Sequence, residues 1–237
     1  MENKFILDLS NQEILEEMKE LIGLESIEVP GCEKIGYITE DPNDYLVNGK
    51  VDEKKLKLVY NRHGKLLRDY MITLSINSLR NRKKDLFELI KKQTAGNTVL
   101  DYGCGVGTHG IACAQKGCYV HFMDISEPML MITISRLMRR NLKFNIHDKD
   151  ITIPYNKFDT ILCTDVIEHI PNPKKMLHLF MRFLKIGGIA HLSISPGVSY
   201  ERGHLPESIK MWQNECQDIL KEKFVQESEN NYRLVKK

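Results

Sequence analysis

The sequence has no Cys-x-x-Cys pair. Its six cysteines, Cys32, Cys104, Cys113, Cys118, Cys163 and Cys216, stand apart, which excludes the commonest zinc and redox spacings. A reduced, cytoplasmic protein is the expectation. Also missing is a run of about 18 apolar residues. The N-terminal MENKFILDLSNQEI turns polar and acidic before a signal-peptide core forms, so neither a membrane span nor a leader is expected. There is no surplus of charge: 34 Lys and Arg against 32 Asp and Glu leave +2, which argues against bulk capture of nucleic acid or anionic lipid but leaves room for a local basic patch. Repeats and low-complexity tracts are absent. What is present is 237 residues, 42% hydrophobic and 28% charged, close to the globular average and long enough for one or two domains.

The first segment reads as a helix. Ser10 and Glu13 have capping-box spacing, and Ile14, Leu15, Met18, Leu21 and Ile22 follow at helical intervals up to Gly23. Breakers then dominate from Glu28 to Val51, including Pro30-Gly31, Asp41-Pro42 and a Val47-Asn48-Gly49-Lys50 step suited to a tight hairpin. Helical periodicity returns between Asp52 and Lys92. After Gly96 short apolar runs alternate with amphipathic stretches. Strands are expected at Thr98–Asp101, Tyr119–Asp124, Lys143–His147, Thr160–Thr164 and Ala190–Ile194, and helices around Gly107–Gln115, Pro128–Met138 and Lys174–Leu184. This βαβα order predicts an α/β fold with a mostly parallel sheet, and Phe224–Gln226 with Tyr232–Val235 predicts an antiparallel edge hairpin.

The chemistry concentrates in VLDYGCGVGTHG. A strand ends at Asp101 and runs directly into Gly103, Gly105, Gly107 and Gly110, where glycines allow a sharp turn and close approach of a ligand to the next helix's free N–H groups. Seventeen residues past Gly107, Asp124 closes the run YVHFMD at the end of the second strand, placed to accept from two ribose hydroxyls. Gly105-x-Gly107-x-x-Gly110 also satisfies the dinucleotide fingerprint, so a nicotinamide or flavin enzyme is an alternative. The acid at Asp101, two residues before the first glycine, points elsewhere.

Asp101-Tyr102-Gly103-Cys104-Gly105-Val106-Gly107 resembles the first motif of the class I, Rossmann-like S-adenosylmethionine-dependent methyltransferases. FDTILCTDVIEHIPNP and FLKIGG leading into AHLSISPG are similar to that family's fourth-strand and fifth-strand signatures. The resemblance runs from about Thr98 to the C-terminus. It implies a seven-stranded sheet in the order 3-2-1-4-5-7-6, with residues 96–237 as the methyltransferase domain; residues 1–95, which the resemblance does not cover, are expected to form a mainly helical cap for substrate recognition. It also implies that Gly103, Gly105 and Gly107 line the methionyl part of the cofactor, that Asp101 holds the loop, that Asp124 takes the ribose and Ile125 packs on the adenine. Beside the adenine stand Asp148 or Asp150, with Ile151 at the strand exit, and Thr164 faces the methionine amino group.

After the fourth strand, Asp165, Glu168 and His169 have the spacing to share one helical face. Three readings stand: a divalent-ion site, a general base at His169, or plain structural packing. Similarity of the acid-x-x-Glu-His run to ubiquinone-biosynthesis O-methyltransferases implies magnesium for the first. The acceptor, a small molecule with oxygen or nitrogen as the expected nucleophile, would meet Tyr200, Arg202 and His204 in the loop after the fifth strand. Tyr60, His63 and Tyr70 are weaker candidates, because aromatics at helical spacing usually belong to a core. A nucleic-acid methyltransferase is the rival, on Arg80, Arg82, Lys83, Lys84 and the cluster Arg136, Arg139 and Arg140. A non-catalytic cofactor-binding regulator is the third reading.

Overall fold

In the chain's computed structural model, residues 4–23, 39, 41–62, 65–79, 84–195 and 202–235 are described. The capping box forms as expected. The Ser10 hydroxyl accepts from Glu13 N–H, and the Glu13 carboxylate accepts from Ser10 N–H at 2.7 Å, which starts α1 (Asn11–Ile22). Gly23, at φ 72°, ends it in the left-handed conformation. Asn48 and Gly49 both adopt positive φ, the requirement of a tight hairpin turn, and join β1 (Leu46–Val47) to β2 (Lys50–Val51). Asp52 then caps α2 (Glu53–Tyr60), and α3 (Lys65–Leu79) and α4 (Lys84–Lys92) follow.

From Thr98 the chain alternates: β3 (Thr98–Tyr102), α5 (Thr108–Gln115), β4 (Tyr119–Met123), α6 (Glu127–Arg139), β5 (Asn145–His147), β6 (Phe158–Thr164), α7 (Pro173–Phe183) and β7 (Leu184–Ser193). A helical stretch made of α8 (Pro206–Met211), a wider π turn at Trp212–Cys216 and α9 (Gln217–Lys223) leads to β8 (Phe224–Gln226) and β9 (Asn231–Leu234). The sheet order is β5-β4-β3-β6-β7-β9-β8, with β9 antiparallel to both neighbours. Counted from β3, this is the expected 3-2-1-4-5-7-6. Some boundaries move: β5 begins at Asn145 rather than Lys143 and β6 at Phe158 rather than Thr160, and the largest shift is in β7, which begins at Leu184 rather than Ala190. A register shift between Phe158 and Thr160 lets the strand continue through its glycine pair, and Asp159 anchors the bend by accepting from Lys185 Nζ at 2.7 Å and Thr98 N–H at 2.8 Å.

Tyr45, Leu56 and Val59 form a small cluster with Leu205, but the larger share of the N-terminal apolar residues packs on the sheet. Ile6, Ile14 and Met18, with Ile72 of α3 and Leu86 and Ile90 of α4, pack in the same cluster as Val99, Ile111, Val120 and Phe122. A buried ion cluster joins the same layers: Glu17 of α1, 1% exposed, accepts from Arg136 of α6 at 3.0 Å and from Arg140. Among the described residues no helix is long and apolar enough to cross a membrane.

Candidate functional site

The parallel strands β4, β3, β6 and β7 end along one edge, and ligands of such sheets sit outside that edge. A cavity of about 350 Å³ opens there. Its floor is the glycine loop from Gly103 to Val106; Gly107 is not among the lining residues and stands behind it at the start of α5. Gly103, Gly105 and Gly107 have φ of 68°, 53° and 75°, a region L side chains rarely enter, and a Cβ on Gly107 would come within 2.6 Å of Thr133. Gly110 serves packing instead: a Cβ there would lie 2.7 Å from an Asp101 oxygen and collide with the Phe122 ring.

Two carboxylates hold this loop. Asp101 Oδ2 accepts from Gly110 N–H at 2.9 Å, and burial pushes its pKa up to about 7 in spite of that bond. Asp124 Oδ2 accepts from Gly105 N–H at 2.8 Å while Oδ1 accepts from Ser126 N–H at 2.9 Å. Burial raises its pKa too, against the pull of those amides. Arg136 completes the frame by donating to the Val106 carbonyl at 2.6 Å, and the Thr133 hydroxyl donates to the Gly105 carbonyl at 2.9 Å.

Ile125 and Thr164 line the cavity as well. The buried Thr164 hydroxyl oxygen has no hydrogen-bond partner among the described residues, so a ligand with a polar group at that wall would satisfy it. The adenine candidates sit elsewhere. Asp150 accepts from the Tyr102 hydroxyl at 2.9 Å, Asp148 lies beside Lys149 on the surface, and Ile151 is 87% exposed; none of the three lines the cavity.

The opposite wall holds His169. The segment after β6 departs from the expected single helical face: Asp165 takes φ 54°, and a three-residue 3-10 turn, Ile167–His169, follows it. Asp165 therefore lines the cavity from outside that turn. Glu168 is a strut, its Oε1 accepting from Ser195 N–H at 2.9 Å and its carbonyl accepting from Leu205 N–H at 2.7 Å. His169 Nδ1 lies 3.1 Å from the Gly203 carbonyl and 3.0 Å from the Tyr60 hydroxyl. A carbonyl only accepts, so the proton belongs on Nδ1 and the lone pair on Nε2. Burial, helped by the neighbouring His204, lowers the His169 pKa to about 4, so the ring is uncharged near neutrality.

His204 is buried with its ring centroid 5.0 Å from that of His169, and Arg202 stands on the cavity's exposed rim. Tyr200 lies outside the described residues, as do His63, Arg80, Arg82 and Lys83. Among the described residues, the group with metal-binding proximity is Glu168, His169 and His204, whose ligand atoms lie within 4.8 Å of one another. Asp165 is not in it. One carboxylate and two imidazoles do not suit magnesium, which prefers oxygen ligands, so the expected Asp165, Glu168 and His169 magnesium set does not form.

Tyr60 and Tyr70 line this cavity while packing against the apolar cluster of Tyr45, Leu56, Val59 and Leu205, and both phenols are pushed above their ordinary pKa by burial. Asn77 and Ser78 of α3 and His109 of α5 also line it and were not singled out by the sequence; His109 falls at an unspecified position inside the glycine segment, Asn77 and Ser78 belong to no motif, and folding brings them together.

A family model described as a methyltransferase domain matches residues 77–225. The ubiquinone biosynthesis O-methyltransferase of Coxiella burnetii (strain RSA 493 / Nine Mile phase I) is 33% identical over 96 residues, 39% of this chain and 41% of that one. Its counterpart from Pseudomonas paraeruginosa is 33% identical over 105 residues, 42% of this chain and 44% of that one. The chain thus spans about two-fifths of the length of these curated relatives. Among solved structures, a candidate rRNA-methylase from Clostridium thermocellum has a TM-score of 0.52 at 18% identity, covering 65% of this chain and 95% of that one. The Haemonchus contortus phosphoethanolamine N-methyltransferase 2, in complex with phosphomonomethylethanolamine and S-adenosylhomocysteine, has a TM-score of 0.50 at 21% identity over 61% of this chain and 37% of that one. At such identities the structural likeness speaks for the fold. The family match covers more than half of the residues and contains the whole glycine loop, and on that ground the chain belongs to the class I S-adenosylmethionine-dependent methyltransferases.

Proposed function

We propose that the chain transfers the methyl group of S-adenosylmethionine to a small-molecule acceptor at oxygen or nitrogen. The observation that carries this reading is the continuity of one cavity from the glycine loop to His169. The name of the curated relatives, ubiquinone biosynthesis O-methyltransferase, supports a small acceptor.

The bound cofactor supplies a methyl carbon activated by a sulfonium. This chain's task is alignment, since displacement in line with a good leaving group needs no covalent enzyme intermediate. Gly103 and Gly105 shape the floor with Gly107 behind them, Asp124 offers its remaining lone pairs to ribose hydroxyls, Ile125 covers the adenine, and the Thr164 hydroxyl meets the amino-acid end. Asp101, ionised, adds negative charge beneath a cationic ligand. On the acceptor side, His169 Nε2 takes the proton as the acceptor's lone pair forms the new bond to carbon and the carbon–sulfur pair departs to sulfur. His204 and Arg202 contact the acceptor. No step requires magnesium.

The RNA alternative loses part of its support. Arg136 and Arg140 are buried against Glu17, and Arg139 pairs with Glu20 at 2.6 Å, so this cluster is not an open basic face. Incubation with methyl-labelled S-adenosylmethionine and a metabolite pool tests the reading. Label is expected in small-molecule products, undiminished by chelator, and label confined to RNA would overturn it. Asp124→Ala is expected to weaken cofactor binding about 10- to 100-fold, the scale of lost charged hydrogen bonds. His169→Ala is expected to bind cofactor normally and turn over slowly.

A further inference from the structure

Asn61 follows the last residue of α2 and belongs to no motif, yet besides donating to the Lys57 carbonyl of its own helix at 2.7 Å its side chain makes two bonds to the segment after β4. Its Oδ1 accepts from Glu127 N–H at 2.7 Å, and its Nδ2 donates to the Ile125 carbonyl at 3.2 Å. The adjoining Tyr60 carbonyl accepts from the Ser126 hydroxyl at 2.7 Å. Two consecutive residues of the N-terminal region therefore grip three consecutive residues of the loop that leaves β4.

That loop opens α6, and its capping is unusual. Ser126 occupies the N-cap position, where a serine hydroxyl ordinarily accepts from the helix's own first-turn amides. Here it makes no cap bond, being turned outward to donate to Tyr60. The first amide of the helix, Glu127 N–H, is satisfied by Asn61 instead. The cap of α6 comes from a different helix. Because Asp124 and Ile125 stand immediately before this junction, the clasp sets where that part of the cavity wall lies.

We propose that Asn61 is a positioning residue for the cofactor, capping α6 from α2 and so holding the Asp124–Ile125 edge in its binding geometry. This rests on the methyl-transfer reading above, with Asp124 and Ile125 as ribose and adenine contacts. It assigns part of the N-terminal region to the cofactor site, not to acceptor recognition alone. Removing the side chain leaves the Glu127 amide to water and releases the loop, so binding must then also order it.

The test is calorimetric titration of the full chain with S-adenosylhomocysteine. Asn61→Ala is expected to bind about tenfold more weakly, the size of one or two lost hydrogen bonds. Asn61→Asp, which still accepts from Glu127 N–H, is expected to recover most of the loss. Asp52→Ala removes the cap of α2 while leaving the clasp, and is expected to bind within about twofold of the parent. Hydrogen exchange at the Glu127 amide should quicken in Asn61→Ala and not in Asp52→Ala. The proposal is overturned if Asn61→Ala binds like the parent, or if Asp52→Ala weakens binding as much. A parent chain that binds no S-adenosylhomocysteine overturns the methyl-transfer reading and this proposal with it.

Discussion

The two buried acids of the glycine loop behave differently from surface carboxylates, and pH should reveal it. Asp101 is raised to about 7 by burial, so the native state keeps a proton that the unfolded chain releases near pH 4. Stability from this group is present at low pH and falls as pH rises from about 4 through about 7. Asp101→Asn keeps an oxygen for Gly110 N–H without the buried charge. It is expected to melt higher than the parent at pH 8 and level with it near pH 4, by scanning calorimetry. Cofactor affinity should move the other way, rising through pH 7 in the parent as the carboxylate ionises beneath a cation, and flat in the variant. His169 has the opposite shift. With its pKa lowered to about 4, it stays unprotonated well below the usual histidine range, and the acid limb of turnover is expected near pH 4 rather than near 6.5.

At the scale of elements, local signals were legible and distant ones were not. The capping box of α1, the Asn48-Gly49 turn and the glycine loop with Asp124 all depend on residues a few positions apart or on a strand–turn–helix frame, so spacing alone exposes them. Tyr60 meets His169 across 109 positions of chain, and Asn61 meets Glu127 across 66. No periodicity encodes such meetings, and a tyrosine at helical spacing looks the same whether it faces a core or a cavity. The same limit hid the role of Arg136, which reads as surface charge in a helix and is in fact fully buried against α1. Glu17→Gln should therefore cost about 3–5 kcal/mol in denaturant unfolding, because it strands a buried guanidinium. Since Arg136 also holds the Val106 carbonyl, weaker cofactor binding is expected in the same variant.

For the whole molecule, the pivotal fact is that α1, α3 and α4 share their apolar cluster with the sheet. Unfolding should then be one transition, with calorimetric and van't Hoff enthalpies in agreement, and a separate low-temperature melting of the N-terminal region would contradict this packing. The ion cluster of Glu17, Arg136 and Arg140 adds something the apolar contacts do not. Hydration of charged groups carries a strongly negative entropy, so the penalty for keeping these three away from water shrinks on warming, while the gain per unit of apolar area levels off. The bond between the first helix and the floor of the cavity should thus be relatively strongest when the rest of the protein is nearest to melting.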